Sequence, residues 1–123
     1  MERMALAPGE AAFAAGDAGT ELLVVQSGRI TLCTAWPPEA GLRLATVGRG
    51  MAFGEMAFLG GLRRSAFAGT EEEPAVLIRL SRERFDAWAE AYPRDALTFM
   101  SNLAQIGTRR LGATTRQLRA VLE

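Results

Sequence analysis

The sequence predicts a mainly β domain with C-terminal helices, on three observations. Eleven glycines between Gly9 and Gly69 cut the first two-thirds into short segments, the spacing of a β-barrel or sandwich. Several of those segments are apolar and rich in β-branched residues, which favours strands. After Ser81 the apolar residues recur at helical spacing instead. At 123 residues and 13.2 kDa the chain fits one domain. We read 1–123 as a single domain, with a β-rich body over 1–80 and a helical tail over 81–123.

Along the body, Glu21–Gln26 and Arg29–Thr34 are the clearest strands, and the Ser27-Gly28 pair between them predicts a tight hairpin. Trp36–Gly41 carries two prolines and a glycine and reads as a loop, followed by a strand over Leu42–Val47. The Glu71-Glu72-Glu73 triplet predicts a solvated turn, and Ala75–Leu80 a final strand. In the tail, Ser81 is a suitable N-cap for a helix bearing Phe85, Trp88, Ala89 and Tyr92. Pro93 ends that helix and opens a second, with Asp95 favourable in its first turn. Leu97, Met100, Ala104, Gly107, Leu111, Thr114, Leu118 and Val121 then alternate spacings of three and four, a thin heptad seam. Gly107 and Gly112 each cost such a helix about 1 kcal/mol relative to Ala. It therefore needs a partner surface: the β body, a ligand, or a second copy in a homodimer through 94–122.

Composition excludes much chemistry. The 49% hydrophobic content includes 22 Ala, so large apolar side chains are few. Fourteen basic residues, all Arg, balance fourteen acidic ones, leaving no broad basic face for nucleic acid. Arg109, Arg110, Arg116 and Arg119 in the tail are explained by a solvated helix face. No His is present and Cys33 is alone, which removes Ser-His-Asp and Cys-His pairs, His-ligated metals, thiolate zinc cages and internal disulfides. The expectation is a chain that is not an enzyme and binds no metal. No apolar run approaches the roughly 18 residues of a membrane span, and Pro8-Gly9-Glu10 interrupts any signal-peptide core. A soluble, cytoplasmic location without direct membrane insertion follows as the expectation.

The informative segment is 50–66. Gly54 allows close backbone approach, and Glu55–Leu59 offers a helical turn with N–H groups suited to an anion. Nine residues after Glu55 comes Arg64, a planar fork for two phosphate oxygens, then the Ser65 hydroxyl. Carboxylate, guanidinium and helix start together suit a ligand carrying both hydroxyls and negative charge. Spacing alone equally admits a surface Glu55–Arg64 salt bridge worth about 0–1 kcal/mol.

Phe53-Gly54-Glu55-Met56-Ala57 and Arg64-Ser65-Ala66 resemble the phosphate-binding cassette of the cyclic-nucleotide-binding domain family. Pro8-Gly9-Glu10, Gly16-Asp17, Val24–Ile30 and Leu80–Phe85 also fall where that family has similar residues. The resemblance implies a jelly-roll β-roll of about eight strands, a cassette over 50–66, and hinge and lid or dimerisation helices over 81–123. It implies that Glu55 and the Gly54 backbone hold a ribose 2′-hydroxyl, while Arg64, Ser65 and the Ala57 amide hold a cyclic phosphate. Thr114 and Thr115 match a Thr-Ser pair that contacts adenine in catabolite-activator-type members, although ordinary helix hydroxyls bonded to carbonyls explain them as well. The implied ligand is cAMP or cGMP, with cAMP favoured; Ser65 does not separate the two. The implied role is a regulatory module that passes ligand binding to its C-terminal helices. The helices that usually precede the first strand are absent, and so is a helix-turn-helix. A piece of a larger protein is therefore expected, with its output domain elsewhere. The alternative is a ligand-free interaction module of the same fold at the C-terminus of a transporter or enzyme such as a glutaminase.

Overall fold

Eight strands, β1 (Glu2–Leu6), β2 (Ala11–Phe13), β3 (Leu22–Ser27), β4 (Ile30–Cys33), β5 (Arg43–Val47), β6 (Ala52–Phe53), β7 (Phe67–Gly69) and β8 (Ala75–Leu80), build the body of the computed structural model, which describes residues 2–105. They form two four-stranded antiparallel sheets, ordered β1-β8-β3-β6 and β2-β7-β4-β5. Between the sheets lie Leu6, Leu23, Val25, Ile30, Leu32, Val47, Phe53, Ala68, Ala75 and Leu77. Leu23 and Val25, like Ala75 and Leu77, are two residues apart, so each strand turns one face inward. On β3 the opposite face is also covered: Leu22 packs with Phe58, Phe85, Ala96 and Leu103. Burial on both faces is why β3 reads as a continuous apolar run.

The predicted Ser27-Gly28 hairpin is not formed. β3 pairs with β6 and β8, whereas β4 pairs with β5 and β7 in the other sheet. The turn is a corner that carries the chain from one sheet to the other. Gly28 sits at φ +84°, and a Cβ there would come within 2.6 Å of the Pro74 carbonyl oxygen. Both strands are too apolar to leave a face in water, and pairing in separate sheets covers each of them. The loop expected at Trp36–Gly41 is present and contains one 3-10 turn, Pro38–Ala40.

Only part of the acidic triplet is solvated. Glu72 and Glu73 are exposed, but Glu71 is half-buried. Its carboxylate accepts from Thr31 Oγ1 at 2.6 Å and from Arg43 Nη2 at 2.6 Å. The Arg43 bond first, then the Thr31 bond, holds its pKa below the ordinary value of 4.5. A carboxyl with a depressed folded pKa adds stability above its unfolded pKa and loses it as pH falls through the folded one. Glu71→Gln should therefore flatten the stability loss of the native protein below pH 4.5, at a cost near neutrality of about 0.2–1 kcal/mol. Urea unfolding at pH 3.5 and 7 checks this; parallel profiles for the two proteins would contradict it.

Helix α1 (Glu55–Gly60) precedes β7, and α2 (Arg82–Ala91) follows β8. Ser81 caps α2 as expected, its side chain accepting from the Arg84 amide at 3.1 Å. Residues 93–105 form a third helix, α3, starting at Pro93. Its inner face differs from the expected seam. Ala96, Phe99, Met100 and Leu103 pack on α1, α2 and β3, while Leu97 is 72% exposed and Ala104 is exposed. A row starting at residue 96 points about 100° away from one starting at 97. The β body takes the first row. The rest of the seam, from Gly107 to Val121, lies outside the described residues.

Candidate ligand-binding site

The segment after β6 builds a cradle from the backbone up. Gly54 is the N-cap of α1 at φ +80°, a left-handed conformation that a side chain strains. Phe58 N–H donates to the Gly54 carbonyl at 3.2 Å, so the first-turn amides, that of Ala57 included, have no acceptor within the helix. Phe58 anchors the helix by packing edge-on against Phe85 at 5.3 Å. Glu55 and Ala57 are also buried, at 4% and 2% exposure.

Beyond α1, the loop near Gly16 clamps the chain at Arg64. Arg64 N–H donates to the Asp17 carbonyl at 2.9 Å, and Gly16 N–H donates to the Arg64 carbonyl at 2.8 Å. The Arg64 side chain turns inward and is 8% exposed. Nη2 donates to the Glu21 carbonyl at 3.0 Å and Nη1 to the Gly54 carbonyl at 3.3 Å. The guanidinium lies 4.4 Å from the centroid of the Phe13 ring. A Cβ on Gly54 would stand 2.6 Å from Nη1, and one on Gly19 would stand 3.0 Å from Nε and Nη2. Both glycines make room for the guanidinium.

Among the described residues Arg64 forms no salt bridge; its acceptors are main-chain carbonyls. Burial lowers its pKa, and the more distant Glu21 and Asp17 carboxylates oppose that shift. Among the described residues the cation thus sits in a desolvated place without a counter-charge in contact, an arrangement that disfavours the charged form. Two carbonyls occupy only part of a guanidinium's five donors. An anion entering here would meet donors already oriented for it.

The structure brings the Arg64 guanidinium to the Gly54 carbonyl at the start of α1, the helix that carries the buried Glu55 and Ala57. Ser65 is exposed, and Thr114 and Thr115 lie outside the described residues. The surface salt bridge is excluded, because Glu55 and Arg64 are both buried and Arg64 donates elsewhere. Sequence reasoning missed Phe13, Gly19 and the Glu21 carbonyl. The Gly16-Asp17 turn is the one local signal pointing to that loop. Among the described residues, no group of three His, Cys, Asp or Glu could hold a metal, and no helix is long and apolar enough to cross a membrane.

The profile of the cyclic nucleotide-binding domain matches residues 3–92, and the chain belongs to that family. Glutaminase 2 of Bradyrhizobium diazoefficiens is 36% identical over 111 residues, covering 89% of this chain and 17% of the glutaminase. The chain thus spans about a sixth of the length of that relative. Thermus thermophilus catabolite activator protein superposes with a TM-score of 0.74 at 31% identity, covering 98% of this chain and 54% of that one. A cyclic nucleotide-binding domain from Methylobacillus flagellatus shares the fold, with a TM-score of 0.78 at 24% identity, covering 96% of this chain and 66% of that one.

Proposed function

We propose that this domain senses a cyclic purine nucleotide, with cAMP favoured over cGMP, and passes the binding event to its C-terminal helices. The observation that carries the reading is the buried guanidinium of Arg64 beside the start of α1, bonded to main-chain carbonyls and, among the described residues, to no carboxylate. The cyclic phosphate would take Arg64, the Ala57 amide and the Ser65 group; the ribose 2′-hydroxyl would take Glu55 and the Gly54 backbone. Thr114 and Thr115 would face the base. The domain would do no chemistry itself and would control an output domain elsewhere; that it matches only 17% of Glutaminase 2 supports its being part of a larger protein. Leu97, 72% exposed on α3, supports pairing of two copies through 94–122.

Transmission has a physical route. Arg82, the first residue of α2, donates from Nη1 to the Phe58 carbonyl at 2.9 Å and pairs with Asp86 at 3.1 Å. Phe58, Phe85 and Phe99 form a cluster spanning α1, α2 and α3. Movement of α1 toward a phosphate would therefore displace the α2 contact, provided ligand binds one arrangement better than the other.

Calorimetric titration with cAMP and cGMP tests the reading. Ligand at 100 times its Kd stabilises by about 2.7 kcal/mol, raising Tm on the order of 10 °C. Neither heat nor a Tm shift at millimolar nucleotide would favour the ligand-free interaction module. Glu55→Ala should weaken cAMP by about tenfold, from loss of one hydrogen bond to a charged group. Its 2′-deoxy analogue should lose much less, and equal losses would remove Glu55 from the ribose.

A further inference from the structure

We propose that Phe13 is a positioning residue that holds the Arg64 guanidinium in its phosphate-facing orientation by stacking beneath it. The inference rests on the reading of Arg64 given above. The Arg64 guanidinium carbon lies 4.4 Å from the Phe13 centroid, well inside the range of a cation–π contact. Stacking on a ring face suits a delocalised, weakly hydrated guanidinium better than an ammonium. It leaves the in-plane N–H donors free for oxygen acceptors.

The ring is itself held. Phe13 packs against Phe53 with centroids 5.9 Å apart, and Phe53 is wholly buried and immediately precedes Gly54. The pairing of β2 with β7 shifts register between Ala11 and Phe13: Ala11 faces Gly69, yet Phe13 faces Ala68. A bulge of this kind bends its strand and re-aims a side chain. The irregular step falls next to the residue that meets Arg64. Phe13 is only half-buried and sits at the margin of the intersheet core, so the contact is more than core filling. Gly19 limits the guanidinium from another direction, since a Cβ there would crowd Nε and Nη2 at 3.0 Å. The plane of the fork is therefore set by ring, glycine and two carbonyls before any ligand arrives.

The test combines nuclear magnetic resonance of the Arg64 Nε–Hε group with cAMP calorimetry on the whole chain. In the native protein the ring current should move that resonance away from the ordinary arginine position. Phe13→Tyr should keep the displaced signal and bind cAMP within about threefold of the native protein. Phe13→Leu should return the signal to the ordinary position and weaken cAMP by about 3- to 30-fold. Native-like cAMP affinity in Phe13→Leu, or equal losses in Phe13→Tyr and Phe13→Leu, would overturn the proposal. An ordinary resonance in the native protein would overturn it without any variant, which covers a Phe13→Leu protein that does not fold. If the native protein binds neither cyclic nucleotide, the sensing function falls. The resonance then decides the stack alone: displaced upholds it, ordinary ends it.

Discussion

Arg64→Gln is expected to weaken cAMP binding by about 30-fold to several thousand-fold, the effect of truncating one partner of a buried charged hydrogen bond. The same substitution should leave the ligand-free domain folded, with its stability within about 1 kcal/mol of native. The asymmetry follows from the environment. In the free domain the guanidinium is desolvated, donates to the Gly54 and Glu21 carbonyls and lies over the Phe13 ring, so among the described residues its charge costs solvation without an ion pair in return. Removing it ends that cost and surrenders two hydrogen bonds and the contact with the Phe13 ring, and the opposing effects nearly cancel. In the complex the charge would offset a phosphate, and its loss leaves an anion buried alone. Calorimetry and urea unfolding of one preparation read both halves. A cAMP affinity in Arg64→Gln within about threefold of the native protein's would refute the phosphate assignment.

Phe58→Ala is expected to cost about 3–5 kcal/mol of stability, because it empties the centre of a packed aromatic cluster. Phe58 is 2% exposed and lies edge-on to Phe85 at 5.3 Å and to Phe99 at 6.4 Å. The Arg82 guanidinium also lies over its ring, 5.4 Å from the centroid. Small domains hold only about 5–15 kcal/mol in total, so the variant should unfold at a much lower urea concentration. Amide exchange should rise most in α2 and α3, which meet the body through this cluster. Phe58→Leu should lose less than half as much. An unchanged urea midpoint in Phe58→Ala would mean that the cluster does not hold the tail to the cassette.

Most of the body was legible in the residues. Ala75–Leu80 is a strand over its whole predicted length, β3 begins one residue later than expected, and α2 starts behind Ser81. Those elements carry strong local signals: β-branched runs, a hydroxyl cap and a proline boundary. β1, β2, β6 and β7 carry weak ones, being two to five residues long and built of Ala, Gly, Phe, Met, Leu and charged residues. They exist because long-range partners cover them, which local propensity does not register. The same reason explains the mistaken hairpin, since Ser-Gly turns a chain equally well within a sheet or between two. At the site, the 50–66 segment offered Gly54, Glu55, Ala57, Arg64 and Ser65 as candidates, of which Glu55, Ala57 and Arg64 are buried and Ser65 is exposed. It could not announce the Glu21 and Gly54 carbonyls that hold Arg64, because every residue has a carbonyl. Nor could it announce Phe13, which sits 51 positions earlier and reads as one more apolar strand residue.

The most direct test is a crystal structure of the whole chain soaked with cAMP. The cyclic phosphate should lie against the Arg64 guanidinium, with its ribose 2′-hydroxyl on the Glu55 carboxylate. Nucleotide density elsewhere, or none at saturating ligand while Arg64 still donates to Gly54 and Glu21, would contradict it.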